Sequence, residues 1–216
     1  MKENQNLFRD LQEDFRKMKK NLLVAQSGGP TAAINATLAG VIKQAIKEEQ
    51  IDQVYGACYG IQGVLEQKFV NLTEKVDTEE KLEKLKRTPA AALGSCRFKL
   101  NDIKEDDSQY QEIVDILHKM NIGYFVYIGG NDSMDTVGKM SRYVKEHQMD
   151  VKVIGIPKTI DNDLVVTDHT PGFGSAARYV AASVLEMAHD TYIYNTKSVL
   201  IAEIMGRDAG WLTAAS

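Results

Sequence analysis

The stretch Tyr124–Thr136, "YFVYIGGNDSMDT", decides the fold. Five apolar residues run without a polar break, as in a strand buried on both faces. Two glycines, an amide, two carboxylates and two hydroxyls then crowd into one turn, and the chain reads as helical to about His147. Bare backbone at Gly129 and Gly130 suits a phosphate, but Asp132 would repel one unless a positive group stands between them.

The same order of strand, polar turn and helix recurs on both sides. "LLVAQ" (Leu22–Gln26) leads into "SGGPT" and a helix to about Glu49, and "QVYGACY" (Gln53–Tyr59) into "GIQGVL". A charged segment holds a helix around Glu79–Lys86, "TPAAALGSCRFKL" reads as a loop, and a helix near Tyr110–Met120 precedes "YFVYI". "VKVIGI" (Val151–Ile156) leads into "PKTIDND" and a long helix over "PGFGSAARYVAASVLEMAHD". "SVLIAEI" (Ser198–Ile204) is expected to be a further strand before "MGRDAG". Strands alternating with helices predict an α/β fold, a Rossmann-like parallel sheet flanked by helices. Ligands of such sheets gather beyond the C-terminal ends of the strands, so five turns are expected to converge on one crevice.

The totals fit this class. Of 216 residues, 44% are hydrophobic and 26% charged, which suits a globular chain with a sizeable core. A net charge of −4 gives no nucleic-acid footprint, and no apolar run is long enough to span a membrane. Cys58 and Cys96 lie far apart without metal spacing and are expected to be free thiols in a reducing cytoplasm. Leu7, Leu11, Phe15 and Met18 fall at helical spacing, predicting an amphipathic arm over 1–20. At the other end "AGWLTAAS" begins a helix with no stop signal, so the chain is expected to be cut within an element.

Several turns carry possible chemistry. In "SGGPT" (Ser27–Thr31), Gly28 and Gly29 let backbone N–H groups approach an anion at a helix N-terminus, with Pro30 near the first turn. Many strand-to-helix turns carry paired glycines for steric reasons alone. In "PKTIDNDL" (Pro157–Leu164), Asp161 and Asp163 flank Asn162, with Lys158 upstream. One carboxylate can hold Mg²⁺ while the other takes a proton from an attacking hydroxyl; an Asx-rich turn with a solvated lysine is the plain alternative. "GSCRFK" (Gly94–Lys99) presents Arg97 and Lys99 after a glycine, a setting for phosphate binding or for a surface loop. "EIMGRD" (Glu203–Asp208) offers Gly206 and Arg207 to a polar ligand, or Asp208 to a helix cap.

Six of these motifs in register, "SGG", "GSCRF", "GGNDS", "GIPKTIDND", "TPGFGSA" and "EIMGR", resemble the phosphofructokinase family from about residue 21 onward. The resemblance implies a donor-binding domain over 21–172 and the start of an incomplete sugar-binding domain over 173–216. It implies phosphorylation of the 1-hydroxyl of fructose 6-phosphate with Mg²⁺, in a homo-oligomer when full length. Asp161 would be the base. Thr159, Ile160, Asp161, Met205, Gly206 and Arg207 would contact the sugar, and Gly28, Gly29, Arg97 and Lys158 the donor phosphates. Family chains are considerably longer than this one, so the chain alone is expected to have little activity.

Two positions bear on the donor. ATP-using members have "GGDGS" and "GIPGTIDND"; this chain places Asp132 and Lys158 at the variable glycines. Asp132 would fill and repel the space of a nucleotide's α-phosphate, and Lys158 would stabilise the phosphate that leaves pyrophosphate. The pair resembles pyrophosphate-dependent members, for which a readily reversible reaction is expected. The alternatives are an ATP-dependent enzyme and a non-catalytic phosphate-binding or association module. The family's metal-binding Asp is Asn131 here, so Asn131, Asp132 and Asp163 are all candidate metal ligands, with Asn131 also a candidate helix cap. Lys197 could serve a neighbour's sugar phosphate but stands about one residue out of register, and reads equally as a surface lysine.

Overall fold

The computed structural model describes residues 19–29 and 31–215. The expected arm over 1–20 falls outside them, except that Lys20 opens a strand, and Pro30 falls outside as well. The chain divides after Pro157 into two compact units.

The first unit is a five-stranded sheet: β1 (Lys20–Gln26), β2 (Ile51–Ala57), β3 (Phe69–Asn71), β4 (Ile122–Gly129) and β5 (Lys152–Pro157). Its helices are α1 (Ala32–Ala45), α2 (Gly60–Leu65), α3 (Leu72–Lys75), α4 (Glu79–Arg87), α5 (Ser108–Lys119) and α6 (Asn131–Glu146). The strand order is β3-β2-β1-β4-β5, parallel throughout except for β3, which runs antiparallel to β2. β3 was not expected. Its three residues take their conformation from pairing with Tyr55–Ala57 at the sheet edge rather than from any alternation of their own.

Alternation along β1 builds a core on each face. Leu23 and Ala25 pack with Ile61 of α2, Ile113 and Leu117 of α5, and Met140 and Tyr143 of α6. Leu22 and Val24 pack on the other face with Ile34, Leu38 and Ile42 of α1 and Leu82 of α4. Fully burying one such Leu, Ile or Val contributes about 1.5–3 kcal/mol, so the central strands fix the fold. α4 carries its own local signals. Thr78 accepts a hydrogen bond from the Lys81 N–H, with Glu79 and Glu80 in the first turn and Lys84, Lys86 and Arg87 in the last. Charges so arranged oppose the helix dipole.

The chain winds from β1 to β2 on one side and later from β4 to β5 on the other, so the winding reverses between β1 and β4. A doubly wound sheet opens its crevice at this point, beyond the carboxyl ends of the two strands. The described residues that follow these strands are Ser27–Gly29 and Gly130–Ser133.

The second unit holds α7 (Phe173–Tyr192) and α8 (Trp211–Ala214). The strand expected at Ser198–Ile204 is absent; the segment is irregular, with Val199 and Ile201 almost fully exposed. Its composition favours extended backbone, but a strand needs a hydrogen-bonded neighbour, and no described segment supplies one. The fifth expected turn therefore does not follow a strand. No described helix is long and apolar enough to cross a membrane.

Candidate functional site

In the first unit, the turn after β1 is held from two sides. Gly28 has φ +83°, a left-handed conformation that glycine adopts without strain. The Ser27 N–H donates to the Ile128 carbonyl of β4 at 2.9 Å. Ser27 Oγ donates to the Cys96 carbonyl at 3.0 Å, and Ser95 Oγ donates to the Gly28 carbonyl at 2.7 Å. These reciprocal bonds lock "SGG" against "GSCRF". Arg97, next in the chain, is exposed. Cys58 and Cys96 are free thiols, as expected.

Tyr127 of β4 supports this turn from below. Its hydroxyl accepts from the Ile61 N–H at 3.2 Å, and burial pushes the phenol up to about 12 against an opposing hydrogen bond with Ser27. Gly60 leaves the space for the phenol: a Cβ there would stand 2.8 Å from the Tyr127 hydroxyl and 2.9 Å from Cys96 Sγ.

At the end of β4, a Cβ on Gly129 would run into the Ser133 side chain and stand 3.0 Å from the Ser27 carbonyl oxygen. The glycine thus lets the first turn of α6 close on the β1 turn. Gly130, and not Asn131, occupies the N-cap of α6; Asn131 and Asp132 are exposed residues of its first turn. Asp132 has an ion-pair partner the sequence reading did not assign: Lys99 Nζ lies 3.2 Å from Asp132 Oδ1.

The second unit opens with Lys158. Burial lowers its pKa from the ordinary lysine value, and the negative charge of Asp161 opposes the shift. Thr159 Oγ1 accepts from the Asp161 N–H at 2.9 Å, and Ile160 packs against Gly172, the left-handed residue that precedes α7. Asn162, also left-handed at φ +59°, donates to the Asp168 carbonyl at 3.1 Å and accepts from the Thr170 N–H at 2.8 Å. The unit thus brings Lys158, Thr159 and Asp161 into one short loop, with Asn162 stapling the chain that follows. Asp163 Oδ1 is buried and has no hydrogen-bond partner, which suits a hard cation more than a solvated turn. Among the described residues, however, no group of three or more His, Cys, Asp and Glu could hold a metal by itself. Met205 is exposed, and Gly206 forms a separate turn, accepting from the Ala209 N–H at 2.8 Å. Arg207 is left-handed at φ +50°. Gly210 is the N-cap of α8, so Asp208 caps nothing there.

Comparison with known proteins places this arrangement. The family model described as Phosphofructokinase matches residues 21–216. The chain belongs to the phosphofructokinase family. A pyrophosphate--fructose 6-phosphate 1-phosphotransferase of Xanthomonas campestris is 46% identical over 198 residues, covering 91% of this chain and 46% of that protein. The crystal structure of a pyrophosphate-dependent phosphofructokinase from Nitrosospira multiformis superposes with a TM-score of 0.78 at 40% identity, over 91% of this chain and 48% of that one. An ATP-dependent 6-phosphofructokinase of Bacteroides thetaiotaomicron is more distant, 33% identical over 89% of this chain and 54% of its own length. The chain spans about half the length of the curated phosphofructokinases it matches.

Proposed function

We propose that the full-length protein moves a phosphoryl group from pyrophosphate to the 1-hydroxyl of fructose 6-phosphate, reversibly. The observation that carries this reading is Asp132 in the first turn of α6, beside the crevice between β1 and β4. A carboxylate there opposes a nucleotide's α-phosphate and leaves room for a shorter donor. The pyrophosphate-using relative at 46% identity, against 33% for the ATP-dependent one, supports the same choice.

Phosphoryl transfer asks mainly for positioning and charge neutralisation. In this proposal Gly28 and Gly29 present backbone N–H groups to the donor, with Arg97 and Lys158 as cationic ligands. Asp161, whose backbone Thr159 fixes, takes the proton from the sugar 1-hydroxyl as its oxygen attacks phosphorus. Thr159, Ile160, Met205, Gly206 and Arg207 line the sugar. Mg²⁺ would be held by the unpartnered Asp163 oxygen, and when bound it would neutralise donor phosphate charge. We assign donor binding to 21–172 and the beginning of the sugar site to 173–216, in a cytoplasmic homo-oligomer.

The test is turnover of the full-length protein with each donor. Pyrophosphate should support it and ATP should not. Asp161→Asn should lower kcat by about 10²–10⁴, the range expected for loss of a general base. Near-normal turnover in Asp161→Asn would remove the base assignment. If Asp132→Gly combined with Lys158→Gly gained no ATP use, the donor assignment would fail.

A further inference from the structure

Lys99 has no part in the reaction as proposed so far. It lies two residues after Arg97, in the loop that Ser27 and Ser95 lock onto the β1 turn. Its ammonium reaches across to the first turn of α6 and meets Asp132 at 3.2 Å. Both side chains remain largely exposed, 73% for Lys99 and 63% for Asp132, so the pair contributes little to folding. Two other ion pairs between residues far apart in the chain, Lys20–Asp150 and Lys43–Glu79, involve no residue of these turns. Lys99–Asp132 joins two loops at the carboxyl edge of the sheet.

We propose that Lys99 is a specificity-determining residue for the diphosphate donor, acting by masking Asp132. This rests on the pyrophosphate reading above. A bare carboxylate at the head of α6 would repel every polyphosphate, including the donor the protein is meant to accept. An ammonium held on that carboxylate cancels most of the repulsion. The carboxylate keeps its bulk, so a nucleotide's α-phosphate still meets an obstructed site. Selectivity then comes from the pair: Asp132 excludes by occupying space, and Lys99 removes the charge penalty for the short donor.

The experiment is steady-state kinetics on the full-length protein with Lys99→Met, Lys99→Arg, Asp132→Asn and Lys99→Met with Asp132→Asn. Lys99→Met should raise the KM for pyrophosphate roughly three- to fivefold, the upper end of what one exposed charge contact supplies. The KM for fructose 6-phosphate should stay within twofold. Lys99→Arg should restore most of the loss, and Asp132→Asn added to Lys99→Met should recover pyrophosphate affinity, because the repulsive charge is then gone. A merely structural role predicts no such recovery. The wild-type KM for pyrophosphate should also rise with salt more steeply than that of Lys99→Met. If wild type turns over pyrophosphate but Lys99→Met matches its KM, or the double variant is no better than Lys99→Met, the masking role is wrong. If wild type does not use pyrophosphate at all, it is the underlying functional reading that falls.

Discussion

Gln26, the last residue of β1, and Asn35, in the first turn of α1, are both fully buried and share a hydrogen bond of 3.1 Å. Together they hold the start of the long loop that carries Ser95, Cys96 and Arg97. Gln26 accepts from the Leu93 N–H at 2.9 Å and donates to the Ile34 carbonyl at 3.1 Å. Asn35 donates to the Thr88 and Ala90 carbonyls at 2.8 and 2.6 Å and accepts from the Ala92 N–H at 2.8 Å. Four backbone positions between 88 and 93 are thereby fixed, one to the strand that ends in the "SGG" turn and three to the helix that follows it. A loop without regular structure is made rigid by two amides.

Asn35→Ala should therefore unfold more than a point contact. It strands two carbonyls, the Ala92 N–H and one N–H of the Gln26 amide, and should destabilise the chain by about 3 kcal/mol. Asn35→Asp keeps the acceptor for Ala92 but sets an oxygen against two carbonyls, so it should be no better. Chemical denaturation measures the loss, and hydrogen exchange should show faster exchange at Ala92 and Leu93. A loss below about 0.5 kcal/mol, the scale of an ordinary surface substitution, would show that the network does not hold the loop.

The serine exchange between the two turns makes a second expectation. Ser95→Ala removes the bond to the Gly28 carbonyl and should cost about 1 kcal/mol of stability. Its larger effect should be on function, since the Gly28 turn loses one of the three bonds that hold it. In the full-length protein, kcat/KM for pyrophosphate should fall about tenfold, a loss equivalent to about 1.4 kcal/mol. Ser95→Thr, which keeps the hydroxyl, should retain most of the activity. Equal activity in Ser95→Ala and wild type would show that the brace is idle.

What the sequence revealed follows the range of the interactions involved. Leu22–Gln26 and Tyr124–Ile128 were legible as strands because burial on both faces writes an apolar run into each. α4 was legible because its caps and end charges are local. β3 was not, because Phe69–Asn71 is a strand only through its pairing with β2. Ser198–Ile204 misled for the converse reason: β-rich composition without a partner leaves exposed coil. In the site, the glycine turns announced themselves, whereas the bonds that fix them did not. Gln26 and Asn35 are polar residues within apolar patterns, and such a residue signals a buried partner without naming it. Asp132 announced an unbalanced charge, but its partner Lys99 lies on another loop, and only the folded chain brings the two together.

Lys158 gives a pH dependence with a definite sign. Burial lowers its pKa below the ordinary lysine value of 10.5, so its ammonium loses the proton at lower pH than an exposed lysine would. The protonated form is the one that can stabilise a departing phosphate. Activity with pyrophosphate should therefore be complete on the acid side of that transition and fall as pH rises through it, in a window below 10.5. Lys158→Arg should move this alkaline limb upward, since a guanidinium stays charged there. Lys158→Met should lose on the order of 10²–10³ in kcat, as for removal of one charge-stabilising donor. A pH profile of kcat/KM on the full-length protein decides the matter; an alkaline limb unmoved in Lys158→Arg would assign it to another group.

Val166 stands in the loop that follows "TIDND", left-handed at φ +58° and wholly exposed, with relative accessibility of 105%. A β-branched side chain in that conformation costs roughly 1–2 kcal/mol, and here no burial offsets it. Asparagine tolerates the left-handed region, so Val166→Asn should stabilise the chain by about 0.5–1 kcal/mol. Val166→Gly should gain less, because glycine also adds entropy to the unfolded chain. Val165 supplies the control: it is nearly as exposed, at 89%, but not left-handed, so Val165→Asn should leave stability within about 0.5 kcal/mol of wild type. Urea unfolding of the three variants gives the comparison. If Val166→Asn proved neutral or destabilising while Val165→Asn stayed neutral, residue 166 would not hold a strained left-handed turn.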